Sequence, residues 1–422
     1  MKRNNYWYPV DNAGKIFPAV SKDSRSSVFR ISFYLNEAID PERLETAVND
    51  VLPRFETFAV ELKSGLFWNY LSKNHQRAVV VEESPIICKY VPASTNHGYL
   101  FTVYYYHNKV TLETFHCISD GTGAMEFLKS ITFRYYQLGG LKLDPEGIIK
   151  GNLPFDIDET CDMFCDSYDK SKKKTLKEEP AFHLDGERFA DHYSLMIRAK
   201  VPTEELLKLT RSKKATIGEY ITALVAFSIY KTQIGCHNTK KPIKIFVPVN
   251  LRRFFPSQTL RNFSLYIKAT FSGRETWTFE RMLEETKKQF KQQLTKEDLH
   301  SRINSNVGIE KNYAIKLIPL FIKNIAFQLS YHYLAENINT YAISNLGNVN
   351  LPSQMQDLIK DIEFSIGGTS MAIVSSHGYT NICLNTEQKD LSMIHCFLHH
   401  LSLGKIPVTI DTNYREGFDE IL

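Results

Sequence analysis

The run Phe115-His116-Cys117-Ile118-Ser119-Asp120-Gly121 holds the residue types best suited to chemistry. An imidazole titrates near ~6.5, so at neutral pH His116 can take a proton from a hydroxyl or amine and later return it. Val110, Leu112, Thr114 and His116 alternate along one face of an expected strand, and the apolar character of that face turns His116 inward. The strand breaks at Asp120-Gly121, and a helix is expected from about Thr122. An imidazole there can face a cleft and stay within reach of a substrate. The same spacing also describes a core histidine with satisfied ring nitrogens beside a helix-capping aspartate. With 13 histidines in the chain, a chance His-x3-Asp is nearly expected.

The elements that must position this run follow from periodicity. Val28–Leu35 reads as a strand. Asp40-Pro41 then starts a helix, with Asp as cap, Pro in the first turn, and Leu44, Val48 and Val51 at helical spacing. Residues 99–106 and 110–116 form an expected hairpin around His107-Asn108-Lys109. From 150 to 190 apolar periodicity fades among acidic residues and the run Lys170-Ser171-Lys172-Lys173-Lys174, which reads as a solvated crossover. Thr216-Ile-Gly-Glu219 is a capping box, opening an apolar helix through Tyr220, Leu224, Phe227 and Ile229. Strands are expected at 244–249 and 263–271, a charged helix from 278 to about 294, and a late hairpin at 371–375 and 381–384. The pattern is α+β, without a regular βαβ run. It divides into an N-terminal lobe over 1–150, a polar crossover over 151–190 and a C-terminal lobe over 191–422.

Three further segments accompany the histidine motif. They are the opening Trp7-Tyr-Pro-Val-Asp11-Asn12-Ala-Gly-Lys15-Ile-Phe-Pro18, the pair Phe246-Val-Pro-Val-Asn250-Leu-Arg252-Arg253 and Leu260-Arg261-Asn262-Phe263, and the later Ile343-Ser344-Asn345-Leu346-Gly347-Asn348-Val349. In this order and spacing, the four resemble the condensation-domain-like members of the CoA-dependent acyltransferase superfamily, in particular the bacterial alcohol acetyltransferases. The resemblance runs from about residue 6 to the last strand. It implies two chloramphenicol-acetyltransferase-like lobes in a V-shaped pseudo-dimer, with a tunnel between them and the histidine at its middle.

The resemblance also implies roles. His116 would abstract the acceptor's proton, and the acceptor would attack a thioester carbonyl. Asp120 would hold the loop by pairing with an arginine, Arg252 or alternatively Arg253, and Gly121 would allow the tight exit. Ser344 and Asn345 would either donate to the oxyanion or shape the turn, and Asn262 would line the tunnel. Many relatives carry a second histidine where this chain has Phe115, which faces away from His116 on a strand and implies a packing difference. The donor would be acyl-CoA, carrying acetyl or another short acyl group, with no permanently bound cofactor and a small alcohol or amine as acceptor. A separate acyl carrier protein is the alternative donor partner, and a catalytically silent binding module is the alternative function. A monomer is expected.

Composition narrows the remaining classes. The net charge of +4, from 51 basic and 47 acidic residues, gives no basic stripe for nucleic acid. Seven scattered cysteines imply no disulfide framework, and the first residues form no apolar signal core, so a cytoplasmic location is expected. No run approaches the ~20 apolar residues of a membrane span. Residues 317–327 could serve a lipid acceptor at a membrane surface, but read as buried. Cys161-x3-Cys165 and the cluster His395, His399 and His400 lack the further ligands of a metal site, so no metal is expected.

Overall fold

The computed structural model describes residues 7–22, 25–89, 96–170, 178–190, 193–235, 239–331 and 337–414. Most of the lysine run at 170–174 lies outside these residues, as does Cys236. Fifteen strands among the described residues form three sheets. They are β1 (Trp7–Pro9), β2 (Val28–Leu35), β3 (Val60–Ser64), β4 (Asn69–Lys73), β5 (Val80–Glu82), β6 (Phe101–Tyr106), β7 (Lys109–Phe115), β8 (Leu195–Pro202), β9 (Ile243–Asn250), β10 (Ser264–Phe271), β11 (Tyr341–Asn348), β12 (Ile359–Ile366), β13 (Ser370–Ser376), β14 (Tyr379–Thr386) and β15 (Thr409–Thr412).

The first lobe is built on the five-stranded sheet β12-β2-β7-β6-β5. Phe29, Ile31, Phe33 and Leu35 alternate onto one face of β2 and join one apolar core with the helices Pro41–Val51 and Gly121–Leu138. Asp40 caps the first of these helices, accepting from the N–H groups of Glu42 and Arg43 at 3.1 Å each. Phe115 is buried in this core, opposite Val28 on β2. The second lobe is the seven-stranded sheet β10-β9-β11-β13-β14-β8-β15. It is covered by the helices Ile217–Ile229, Phe279–Gln293 and Ser392–Leu403, which share a separate core with it. The expected capping box forms, with Glu219 N–H donating to Thr216 Oγ1 and Thr216 N–H to Glu219 Oε2.

The lobes are tied in two ways. The chain returns late to the first sheet, where β12 pairs antiparallel with β2 in the register Ile362–Phe33. Beside this crossing lies a buried layer of charge. Arg30, 1% exposed, reaches Glu83 at 2.9 Å and Glu113 at 3.4 Å. Arg198 on β8 reaches Asp361 at 3.5 Å and Glu363 at 3.7 Å on β12. A buried ion whose partner is removed is costly, so this layer fixes the mutual register of the lobes.

The acidic crossover is pinned rather than loose over 156–169. Glu159 is buried and paired to Arg54 at 2.7 Å, and the side chain of Asp162 accepts from Asn12 N–H at 2.8 Å. One expectation is overturned. Residues 317–327 are mostly exposed: Leu317, Phe321, Ile322 and Ile325 face solvent, and Leu320 and Lys323 are the buried residues of the helix Leu320–Tyr331. No helix among the described residues is long and apolar enough to cross a membrane.

Candidate active site

Strand β7 ends at Phe115, and His116 follows at the start of a turn. Its N–H donates to Ser27 O at 3.0 Å, and Ile118 N–H closes back on Phe115 O at 3.2 Å. Cys117, Ile118 and Ser119 are fully buried, whereas His116 keeps part of its surface open. The imidazole stacks on Phe17, with ring centroids 4.7 Å apart and planes 17° apart, and meets the edge of Phe29 at 5.1 Å. Burial lowers the pKa of His116, outweighing the nearby Asp120 charge, which raises it. The neutral imidazole is therefore favoured.

The tautomer follows from the hydrogen bonds. His116 Nδ1 lies 2.8 Å from Asn262 Oδ1. The Asn262 amide is oriented by its other end, since Nδ2 donates to His116 O at 2.9 Å and to Asp11 Oδ2 at 3.1 Å. With the amide nitrogen so committed, Oδ1 is the acceptor, Nδ1 carries the proton, and Nε2 holds the lone pair. Asp11 is itself fixed. Its carboxylate accepts from Gly14 N–H at 2.6 Å and Asn262 N–H at 3.3 Å, and lies 3.7 Å from Arg261 Nε. Burial pushes the Asp11 carboxyl up to about 6, against the pull of Arg261.

Asp120 is the keystone of the turn. Its Oδ1 accepts from Thr122 and Gly123 N–H at 3.1 and 3.2 Å, capping the helix Gly121–Leu138. Its Oδ2 accepts from Phe263 N–H at 3.0 Å and from Arg252 Nη1 at 2.7 Å. Arg252 Nη2 completes a forked pair with Oδ1 at 3.3 Å. The guanidinium then staples the chain on both sides of Leu260, donating to Thr259 O at 2.9 Å and Arg261 O at 2.8 Å. Since Asn262 follows Arg261, the Asp120–Arg252 pair also holds the residue that orients His116.

Close approach explains three glycines. A Cβ on Gly123 would stand 2.1 Å from Leu260 O, and one on Gly14 would stand 2.5 Å from Cys117 O. A Cβ on Gly121 would meet Leu346 Cδ2 at 2.5 Å. Leu346 comes from β11, so this contact joins the Ser344–Gly347 segment to the motif turn. Within that segment Asn345 Oδ1 accepts from Gly347 N–H at 2.7 Å, and Gly347 has φ +74°. The bond gives Asn345 a turn-shaping role. Neither Ser344 nor Asn345 bonds His116 in the described structure.

Of the residues singled out in the sequence, His116 with Asn262 and Asp120 with Arg252 meet directly, while Arg253 lies near Gly347. Asp11 and Phe17 were legible only as part of the opening segment. No local signal shows that Asp11 bonds a side chain 251 positions away. Among the described residues, no group of three or more His, Cys, Asp or Glu could hold a metal ion. His395 and His399 simply stack in parallel at 6.2 Å.

A model of the alcohol acetyltransferase family matches residues 165–399, more than half of the chain. The matched span contains Arg252, Asn262, Ser344 and Asn345, and lies downstream of His116. No curated protein matches. Several solved structures share the two-lobed fold over nearly the whole length. F. graminearum TRI101 complexed with coenzyme A and deoxynivalenol aligns with TM-score 0.63 and 10% identity, covering 97% of this chain and 100% of that one. Polyketide synthase associated protein 5 from Mycobacterium tuberculosis aligns with TM-score 0.57 and 12% identity, covering 93% and 97%. The epimerization domain from the third module of tyrocidine synthetase B aligns with TM-score 0.58 and 11% identity, covering 95% and 96%.

Proposed function

Because the chain belongs to the alcohol acetyltransferase family, we propose that it moves an acyl group, acetyl or another short acyl, from CoA to an alcohol or amine, with His116 as general base. The observation that carries this reading is the protonation pattern of the imidazole. Asn262 Oδ1 binds Nδ1–H, and the lone pair of Nε2 is left for the acceptor. In the proposed reaction the acceptor O–H or N–H gives its proton to Nε2 as its heteroatom attacks the thioester carbonyl carbon. The carbonyl π bond opens to an oxyanion. Collapse re-forms the carbonyl, breaks the C–S bond and expels the CoA thiolate, which takes the proton from Nε2–H. No net proton is gained or lost, and no atom changes oxidation state.

General-base catalysis of this kind contributes typically ~10²–10⁴-fold. Asn262 holds the ring orientation, and Asp120 with Arg252 holds the loop that carries it. The likeness to F. graminearum TRI101, solved with coenzyme A and deoxynivalenol, supports coenzyme A as the carrier of the donated acyl group. In this reading donor and acceptor would meet at His116 between the lobes. The test is free-thiol release from acetyl-CoA and longer acyl-CoAs, with and without pooled alcohols and amines. Release that depends on an acceptor establishes the transferase. Release from no CoA thioester, under any acceptor pool, refutes the CoA-dependent reading.

A further inference from the structure

The helix Leu320–Tyr331 is inverted relative to an ordinary surface helix. Its outward residues are Phe321 (66% exposed), Ile322, Ile325 (56%) and Leu329 (55%), whereas Lys323 is only 3% exposed. At ~100° per residue these four apolar side chains fall within an arc of roughly 100°, and Lys323 lies on the opposite side. Leu317, just before the helix, and Leu66, on the turn between β3 and β4, extend the patch. Leu320 N–H donates to Leu66 O at 2.9 Å, which joins the two elements. Monomeric proteins rarely leave so many large apolar side chains contiguous and open.

The exposure is held in place. Lys323 Nζ donates to Phe67 O at 3.0 Å and Lys316 O at 3.3 Å, and sits 3.7 Å over the Trp68 ring. Phe327 packs near Trp68 on the same inner side, and Gln328 Nε2 donates to Ala19 O at 3.0 Å. Turning the helix to bury its apolar stripe would take Lys323 away from these partners and leave the Phe67 carbonyl without its donor.

We propose that this face docks on an anionic lipid surface. Two features select that occupant. The patch is a convex helix side with a turn tip beside it, which inserts into a fluid apolar layer rather than enclosing a partner. Its exposed charges are of one sign: Lys311 and Lys316 are exposed at the helix approach, and residues 311–331 contain no acidic side chain. Basic side chains flanking an exposed apolar helix face are the arrangement of an interfacial helix. Through Ala19 the docked helix rests on the short helix Phe17–Val20, whose Phe17 stacks on His116. The inference does not depend on the acyl-transfer reading.

The test is sedimentation of the full-length protein with vesicles of phosphatidylcholine alone and of phosphatidylcholine with phosphatidylglycerol. Wild type is expected to bind the anionic vesicles at least ~10-fold more tightly than the neutral ones, and less tightly as salt rises. The triple variant Phe321→Ser, Ile325→Ser, Leu329→Ser changes only exposed side chains. It should unfold at the wild-type temperature and lose at least ~100-fold in vesicle affinity. Failure of wild type to bind either vesicle overturns the proposal, as does unchanged binding by the triple variant. Equal binding to both vesicles overturns the role of the lysines. A wild-type dimer that the triple variant abolishes, without vesicle binding, would assign the face to a second copy of the chain.

Discussion

Removing Arg252 and Asp120 together should destabilise the protein by less than the sum of the two single removals. Asp120 is 6% exposed and receives three backbone N–H groups besides the forked guanidinium. In Arg252→Ala the carboxylate keeps its backbone donors but loses its counter-charge, and the carbonyls of Thr259 and Arg261 lose theirs. Breaking a buried pair from one side costs about 3–5 kcal/mol. Asp120→Ala strands the guanidinium at similar cost and deletes a helix cap worth typically ~1 kcal/mol. The double variant leaves no stranded charge, so its loss should fall short of the sum by at least ~2 kcal/mol. Urea unfolding of the four proteins at pH 7 measures all three values. Single losses under ~1 kcal/mol, the level of a surface pair, or strict additivity would refute the keystone reading.

Other consequences are separable. Asn262→Ala removes the acceptor that fixes the His116 tautomer, a bond worth ~0.5–1.5 kcal/mol. It should lower kcat about tenfold and leave the KM for acyl-CoA within about twofold; a loss confined to KM would contradict the positioning role. Burial lowers the His116 pKa, so the fold favours the neutral ring; stability is unaffected by this group above the unfolded value of ~6.5 and is lost progressively below it, down through the lower folded value. The rate should accordingly stay level from pH 7 down past ~6.5 and decline only below, whereas an acid limb centred at or above that value would contradict the assignment. Gly123→Ala drives a Cβ into the Leu260 carbonyl and should cost about 3 kcal/mol in denaturant unfolding. Gly121→Ala meets only the mobile end of Leu346, so it should be milder and be relieved by Leu346→Ala.

Much of the scaffold was legible because it is local. The Asp40 cap, the Thr216–Glu219 box and the two hairpins each depend on residues within a few positions, and each forms as the spacing predicts. The return of β12 to the first sheet was not legible. Its partner strand β2 lies more than 300 residues earlier, and nothing in 359–366 encodes that pairing. The site divides in the same way. His116, Asp120 and Gly121 stand out by residue type, but their spacing also fits a core histidine beside a capping aspartate, and their expected roles, like that of Arg252, come by resemblance. The Asp11–Asn262 link to the imidazole depends on a segment from each half of the chain meeting in space. The misjudged stretch at 317–327 failed for a physical reason as well. Apolar composition argues for burial, but the interior contacts of Lys323 decide which side of that helix turns inward.

The account rests most directly on His116. The decisive measurement is acceptor-dependent thiol release by wild type and His116→Ala, side by side, with thermal unfolding recorded for both. The account predicts a fall of at least ~10²-fold in kcat with the folded state intact. Equal release by the two folded proteins would contradict it.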